Sequence, residues 1–233
     1  MRVLLACGIF YSGWSFAVSQ SNSTDGFADG SSDTRSVEFL VGDFGVDSTS
    51  IANIQVSISF AKHNASSFVP EGSALVAGNP FFNEIEFVLT SPAGTSVTLI
   101  SNDGGVEINA DVLESFNSGG STEFSGTVVF NQSAAGTVND NANMVQAGTF
   151  RPHPGNLDDF LNENAVGTWQ LFFEDDLGSD GLSFYNVAIN INEAVTPPSG
   201  PSFPIPSLNG WGLISLTGLM MMALRRRRRI QAG

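Results

Sequence analysis

The feature that most limits what this chain folds into is an alternation of apolar and polar residues with a period of two. Ile54, Val56, Ile58 and Phe60 alternate with Gln55, Ser57 and Ser59. On an extended strand that spacing puts all four apolar side chains on one face. Ile85, Phe87 and Leu89 repeat the pattern, with Glu84 and Glu86 turned to the other side. Residues 97–100 follow after the turn Ser91-Pro92-Ala93-Gly94, and 127–130 read as a further strand. Trp169, Leu171 and Phe173 alternate again, and Val187, Ile189 and Ile191 close the series. Clusters of Gly, Asn, Asp and Pro separate the runs, as connections between strands require. The one helical signal is a turn at 156–162.

A chain of many short strands with one apolar face each must pack two sheets against one another. The expectation is an all-β protein, a sandwich or jelly roll over residues 37–193. A domain of this size buries an adequate core without covalent staples. Charged residues make up only 14% of the sequence, and lysine occurs once, at Lys62.

The two ends carry addressing signals. Arg2 precedes a mostly apolar run to Phe16, and Ser15-Phe16-Ala17 supplies small residues before a cleavage point at Ala17. Residues 1–17 therefore read as a secretory signal peptide. The only cysteine, Cys7, lies inside it, so a processed chain has neither disulfides nor thiol chemistry. Leu4 to Cys7 looks like a lipoprotein box, but the apolar run before it is too short to cross a membrane. Residues 18–36 read as a disordered polar N-terminus. At the other end, 194–204 form a Pro-rich linker. The uncharged run 211–224 falls short of the about 20 residues of a full span, although Ile205, Leu208 and the arginine stems extend it. Arg225, Arg226, Arg227, Arg228 and Arg229 hold their end on the cytoplasmic side, and the domain then lies outside.

With Arg2 and the arginine cluster removed, only Arg35, Lys62 and Arg151 remain against 23 acidic residues. Such a surface repels nucleic acid and anionic membrane. The arginines beside an apolar span serve topology, and no nucleic-acid partner is expected.

Ile205, Pro206, Ser207, Leu208, Trp211 and Gly212 resemble the Ile-Pro-Thr-Leu-x-x-Trp-Gly signature of bacterial C-terminal sorting tails, with Ser207 in place of the usual Thr. Motif, apolar span and basic cluster follow in that family's order over 205–233. The resemblance implies processing by a membrane-embedded exosortase-type transpeptidase. It places the domain at the cell surface or in the medium of a bacterium after transient anchoring in the inner membrane. A plain C-terminal membrane anchor is the simpler reading of the same tail.

A second resemblance rests on "VLTSPAGTSVTLIS", 88–101, and on "FLNENAVGTWQLFFEDDLGSDGLSFYNVAINI", 160–191. Both resemble signature segments of P domains, also called Homo B domains, and "GTFRPHPGNLDDF", 148–160, fits the bacterial versions. The resemblance implies an eight-stranded jelly roll of the kind that stabilises subtilisin-like proprotein convertases. Two departures stand out. Phe60 occupies about the place of the family's histidine, with a longer loop over 61–83 and Asn83-Glu84 about where its Asp-Leu would stand. The motifs of a subtilisin-like catalytic domain do not occur in the sequence.

Catalysis would need a histidine base beside a nucleophile. His63, in the long loop, and His153, between Pro152 and Pro154, both read as surface residues. The adjacent pairs Asp158-Asp159 and Asp175-Asp176 read as solvated loops. The segment 175–181 gathers Asp175, Asp176 and Asp180 with two glycines. Calcium takes hard oxygens on such a turning backbone, and ordinary turn chemistry favours the same residues. Trp169 belongs to the inward register and reads as core. The expectation is an exported, non-catalytic binding or stabilising module. Two other readings remain: an accessory domain serving a separate extracellular subtilisin-like protease, and a calcium-dependent adhesion or glycan-binding module.

Overall fold

The computed structural model describes residues 17–45, 49–101, 123–138 and 145–193. The leader before Ala17, the linker, the sorting motif and the arginine cluster lie outside the described residues. The strands are β1 (Val18–Asn22), β2 (Gly26–Ala28), β3 (Ser31–Phe39), β4 (Ile54–Lys62), β5 (Ile85–Thr90), β6 (Ser96–Ile100), β7 (Phe124–Asn131), β8 (Gly148–Phe150), β9 (Gly167–Asp175) and β10 (Leu182–Ile191). Short 3-10 turns lie at Val41–Phe44, Phe82–Glu84 and Leu157–Phe160. The chain is all-β, as the alternation requires. Its one strong helical signal is the last of these turns, where Asn156 caps the start by accepting from the Asp158 amide.

One sheet runs β1-β10-β4-β7-β8, with β2 also paired to β10, and the other runs β3-β9-β5-β6. Among the described strands all pairings are antiparallel except β7 with β8. The inward residues predicted from the sequence form a single core between the sheets. Aromatic contacts cross it: Phe60 of β4 lies 5.0 Å from Phe87 of β5, and Phe173 of β9 stacks on Phe184 of β10 at 4.8 Å, ring centre to ring centre. Trp169 is fully buried, packs edge-on against Phe160 and donates its indole N–H to the Ala165 carbonyl at 2.9 Å.

β10 changes phase along its length. Leu182 and Phe184 face the core, and so do Val187, Ile189 and Ile191. Even and odd positions share one face only because a bulge interrupts the pairing with β4 between Phe184 and Asn186.

The structure corrects the reading of 18–36 as disordered. β1, β2 and the first part of β3 belong to the sandwich, β1 pairing with β10 from Val18↔Ile191 to Asn22↔Val187. Polar composition hides these strands because they lie along sheet margins, where only one side chain in two meets the core. Arg35 pins the segment. Its guanidinium donates to the carbonyls of Thr24 (2.9 Å), Asp25 (2.6 Å) and Thr34 (2.9 Å) and to the Asp33 carboxylate (2.6 Å). It also sits 5.3 Å above the Phe173 ring and 5.6 Å from the Phe184 ring.

Arg35→Ala removes these contacts and leaves carbonyls without their donor. We expect a loss of about 2–4 kcal/mol in urea unfolding, since each charged hydrogen bond contributes roughly 1.5–3 kcal/mol before relaxation.

Candidate functional site

The inward register of β4 continues past Phe60 to Lys62, and that of β9 continues past Phe173 to Asp175. Both side chains are fully buried. They meet between the sheets, with Lys62 Nζ 2.6 Å from Asp175 Oδ2. Asp180 Oδ2 lies 3.1 Å from the same nitrogen and Glu84 Oε2 3.5 Å. The Asp180 backbone carbonyl also accepts from Nζ. A buried lysine requires this: an ammonium taken out of water is tolerated only where oxygens replace its hydration shell.

Three carboxyl groups surround one cation, so the cluster carries surplus negative charge and binds protons. Burial pushes Glu84 up to about 7; the Asp180 carboxylate adds to the rise and Lys62 opposes it. Burial likewise pushes Asp175 up to about 8 against the pull of Lys62. Asp175 Oδ1 and Asn83 Oδ1, both buried, accept no hydrogen bond.

The three aspartates singled out from the sequence therefore do not converge on one point. Asp175 and Asp180 turn inward to Lys62, while Asp176 is exposed and its backbone N–H donates to the Glu84 carbonyl at 2.9 Å. The lysine ammonium takes the oxygens of two of them. Among the described residues, no group of three or more His, Cys, Asp or Glu is arranged to hold a metal. The segment behaves as a pinned turn. The Ser179 N–H donates to Asp29 at 2.7 Å, the Gly181 N–H to the Ala65 carbonyl at 3.0 Å, and Asp180 Oδ2 accepts from the Phe81 N–H.

His63 is a correction. It is fully buried rather than on the surface, because β4 extends to Lys62 and the following loop folds over β10. Its Nε2 is 2.8 Å from Ser183 Oγ, and that oxygen accepts from the Val69 N–H at 3.0 Å. Tyr185 donates to the Val69 carbonyl at 2.9 Å. Burial and the nearby Lys62 depress the His63 pKa, which keeps the imidazole neutral. Neither His63 nor Ser183 has exposed surface, and the pair fastens the 64–83 loop through Val69. His153 is half-buried and its backbone N–H donates to the Leu99 carbonyl at 3.1 Å.

At the other end of the sandwich the two signature segments touch. Ser91 donates to Glu163 at 2.6 Å, and Thr95 donates to the second oxygen of the same carboxylate. Within the turn, the Ser91 N–H donates to the Thr95 carbonyl at 2.8 Å and the Gly94 N–H to the Ser91 carbonyl at 3.0 Å. Gly167 has φ +128° and packs so closely that a Cβ there would lie 2.8 Å from Pro92 Cβ. Only glycine suits both demands.

Comparison with known proteins gives a clear match at the C-terminus alone. Residues 203–229 match the IPTL-CTERM motif, so the chain carries a C-terminal sorting tail. No curated protein matches the chain. A solved complex of the Aeromonas sobria serine protease (ASP) and the chaperone (ORF2) contains a chain similar at 14% identity and TM-score 0.36. The alignment covers 75% of this chain and 26% of the other, so this chain spans about a quarter of that protein's length.

The raised Glu84 value fixes the sign of a pH effect. The folded state holds the proton more tightly than the unfolded state, so this stabilisation is complete below the ordinary value of 4.5 and is lost as pH rises through about 7. Thermal midpoints should fall between pH 5 and pH 8, and Glu84→Gln should flatten that slope. A second expectation concerns the hairpin. Glu163→Ala strips buried Ser91 of its acceptor and should cost about 1–3 kcal/mol in chemical unfolding.

Proposed function

We propose that the chain is a surface-displayed, non-catalytic module of the P-domain type, exported from a bacterium and acting by binding or stabilising a partner outside the cell. The observation that carries this reading is the sorting tail at 203–229, downstream of a self-contained β-sandwich. A sorting-enzyme partner follows from the tail itself. The tail delivers a folded cargo; the cargo's chemistry then decides its role.

Two features support the P-domain type. With β2 and β8 set aside and the rest renumbered in chain order, one sheet reads 1-8-3-6 and the other 2-7-4-5. That is the strand order of a jelly roll built from two Greek keys. The segments that resemble the family's signatures also account for one another physically, through Glu163 gripping the Ser-Pro hairpin and Gly167 packing on Pro92. The non-catalytic character is supported by where the ionisable groups go. Lys62, Glu84, Asp175 and Asp180 face one another in the interior, and His63 is buried against Ser183. The outer surface is strongly acidic, which suits a soluble extracellular module and a cationic or polar partner over an anionic one.

The test is export and processing in a bacterium that contains an exosortase-type system. The full chain should lose its tail and become accessible to external protease. Replacement of Arg225 to Arg229 by Ser or Gln should leave the tail unprocessed or the topology mixed. A domain that stays in the cytoplasm in both cases would contradict the proposal. Peptide hydrolysis that survives purification to a single chain would contradict its non-catalytic part.

A further inference from the structure

We propose that Lys62 and Asp175 join through an isopeptide bond that the folded domain makes by itself, tying β4 of one sheet covalently to β9 of the other.

The geometry is that of a reaction about to occur. Nζ and Oδ2 are 2.6 Å apart, and both side chains are fully buried. The inward neighbours on the two strands are aromatic, Phe60 and Phe173, with Phe87 and Phe184 across the core. Holding two reactants in contact removes the entropic barrier to their union, an effect equivalent to concentrations of about 10⁵ M and above. A third group stands within reach. Glu84 Oε2 is 3.5 Å from Nζ and can pass a proton between the reacting atoms.

The step balances as a condensation. A proton moves from the ammonium to a carboxylate of the cluster, which frees the lone pair of Nζ and leaves Asp175 as a carboxylic acid. Nζ attacks Cγ of Asp175, and a C–N bond forms. Glu84 takes a proton from the nitrogen and delivers it to the departing oxygen. The C–O bond breaks and one water leaves. Nothing is oxidised or reduced and no co-reactant is needed.

The product suits the site better than the reactants do. One neutral amide replaces two buried charges. The amide keeps a single N–H, and the Asp180 carbonyl already accepts from that nitrogen. Asp175 now presents two oxygens, of which Oδ1 has no partner; the amide keeps only one. Water expelled from a packed core is not at hand to reverse the step.

Such a bond also fits an exported chain whose only cysteine is Cys7, upstream of the first strand. No disulfide can staple the sandwich, and the link would close a loop across 113 positions of sequence. Lys62 is the only lysine in the chain, so the nucleophile is unambiguous.

The experiment is peptide mapping of the full chain, purified folded and then denatured. Arg151 is followed by Pro152, which blocks trypsin, so Lys62 is the one tryptic site between Arg35 and Asp175. In the wild type, trypsin should fail to cut after Lys62. The segment from Ser36 through Asp175 should stay in one peptide, one water lighter than its sequence requires. Lys62→Arg and Asp175→Ala should release separate fragments at full mass. Glu84→Gln should leave most of the chain unlinked. Wild-type protein that unfolds cooperatively, yet is cut after Lys62 and shows no water loss, overturns the proposal. Because the decisive digest is of the wild type, a variant that fails to fold does not blunt it.

Discussion

The sandwich is organised around one buried cation. Lys62 Nζ draws in Asp175 from the facing sheet, Asp180 from the turn before β10, and Glu84 from the turn before β5. Elsewhere the two sheets are held by apolar contact, which is strong but not directional. At this end the contact is directional: the ammonium demands oxygens at set places, and the connections that carry them must close over it. The acidic turn lies against Asp29 and Ala65, and the 64–83 loop is fastened over β10 by Ser183 and Tyr185. Removing the cation would leave the carboxyl groups repelling one another in a medium that screens poorly.

The opposite end uses hydrogen bonds to a single carboxylate. Glu163 accepts from Ser91 and Thr95, and Gly167 lies against Pro92. Polar side chains at both ends of the sandwich thus convert flexible connections into fixed ones. Exposed acidic residues such as Glu38, Asp158 and Asp176 add to the negative charge of the surface.

Much of the fold was legible in the sequence because apolar alternation is a local property. The central strands β4, β5 and β9, and β10 beyond its bulge, each bury one face of large residues. β1, β2 and β3 were not legible. In β3 the residues from Ser31 to Thr34 are exposed on both sides, so no apolar face marks the strand there, and its pairing with β9 and the Arg35 contacts hold it. The cluster was partly legible. Lys62 stands two positions after Phe60, and Asp175 two after Phe173, each next in an inward series. A lone lysine at such a position predicts a buried partner. That the partner is Asp175, 113 positions away, follows only from the pairing of sheets. His63 was misread because strand β4 does not end where its apolar run ends.

The chain joins a C-terminal sorting tail to a β-sandwich whose described residues contain no cysteine. The central claim is that Lys62 and the facing carboxylate act as a unit. A double-mutant cycle in urea unfolding, with Lys62→Met, Asp175→Leu and both together, tests it most directly. The account predicts strong coupling, with the double variant losing at least about 2 kcal/mol less than the two single losses combined. Losses that simply add would contradict it and reduce the cluster to independent contacts.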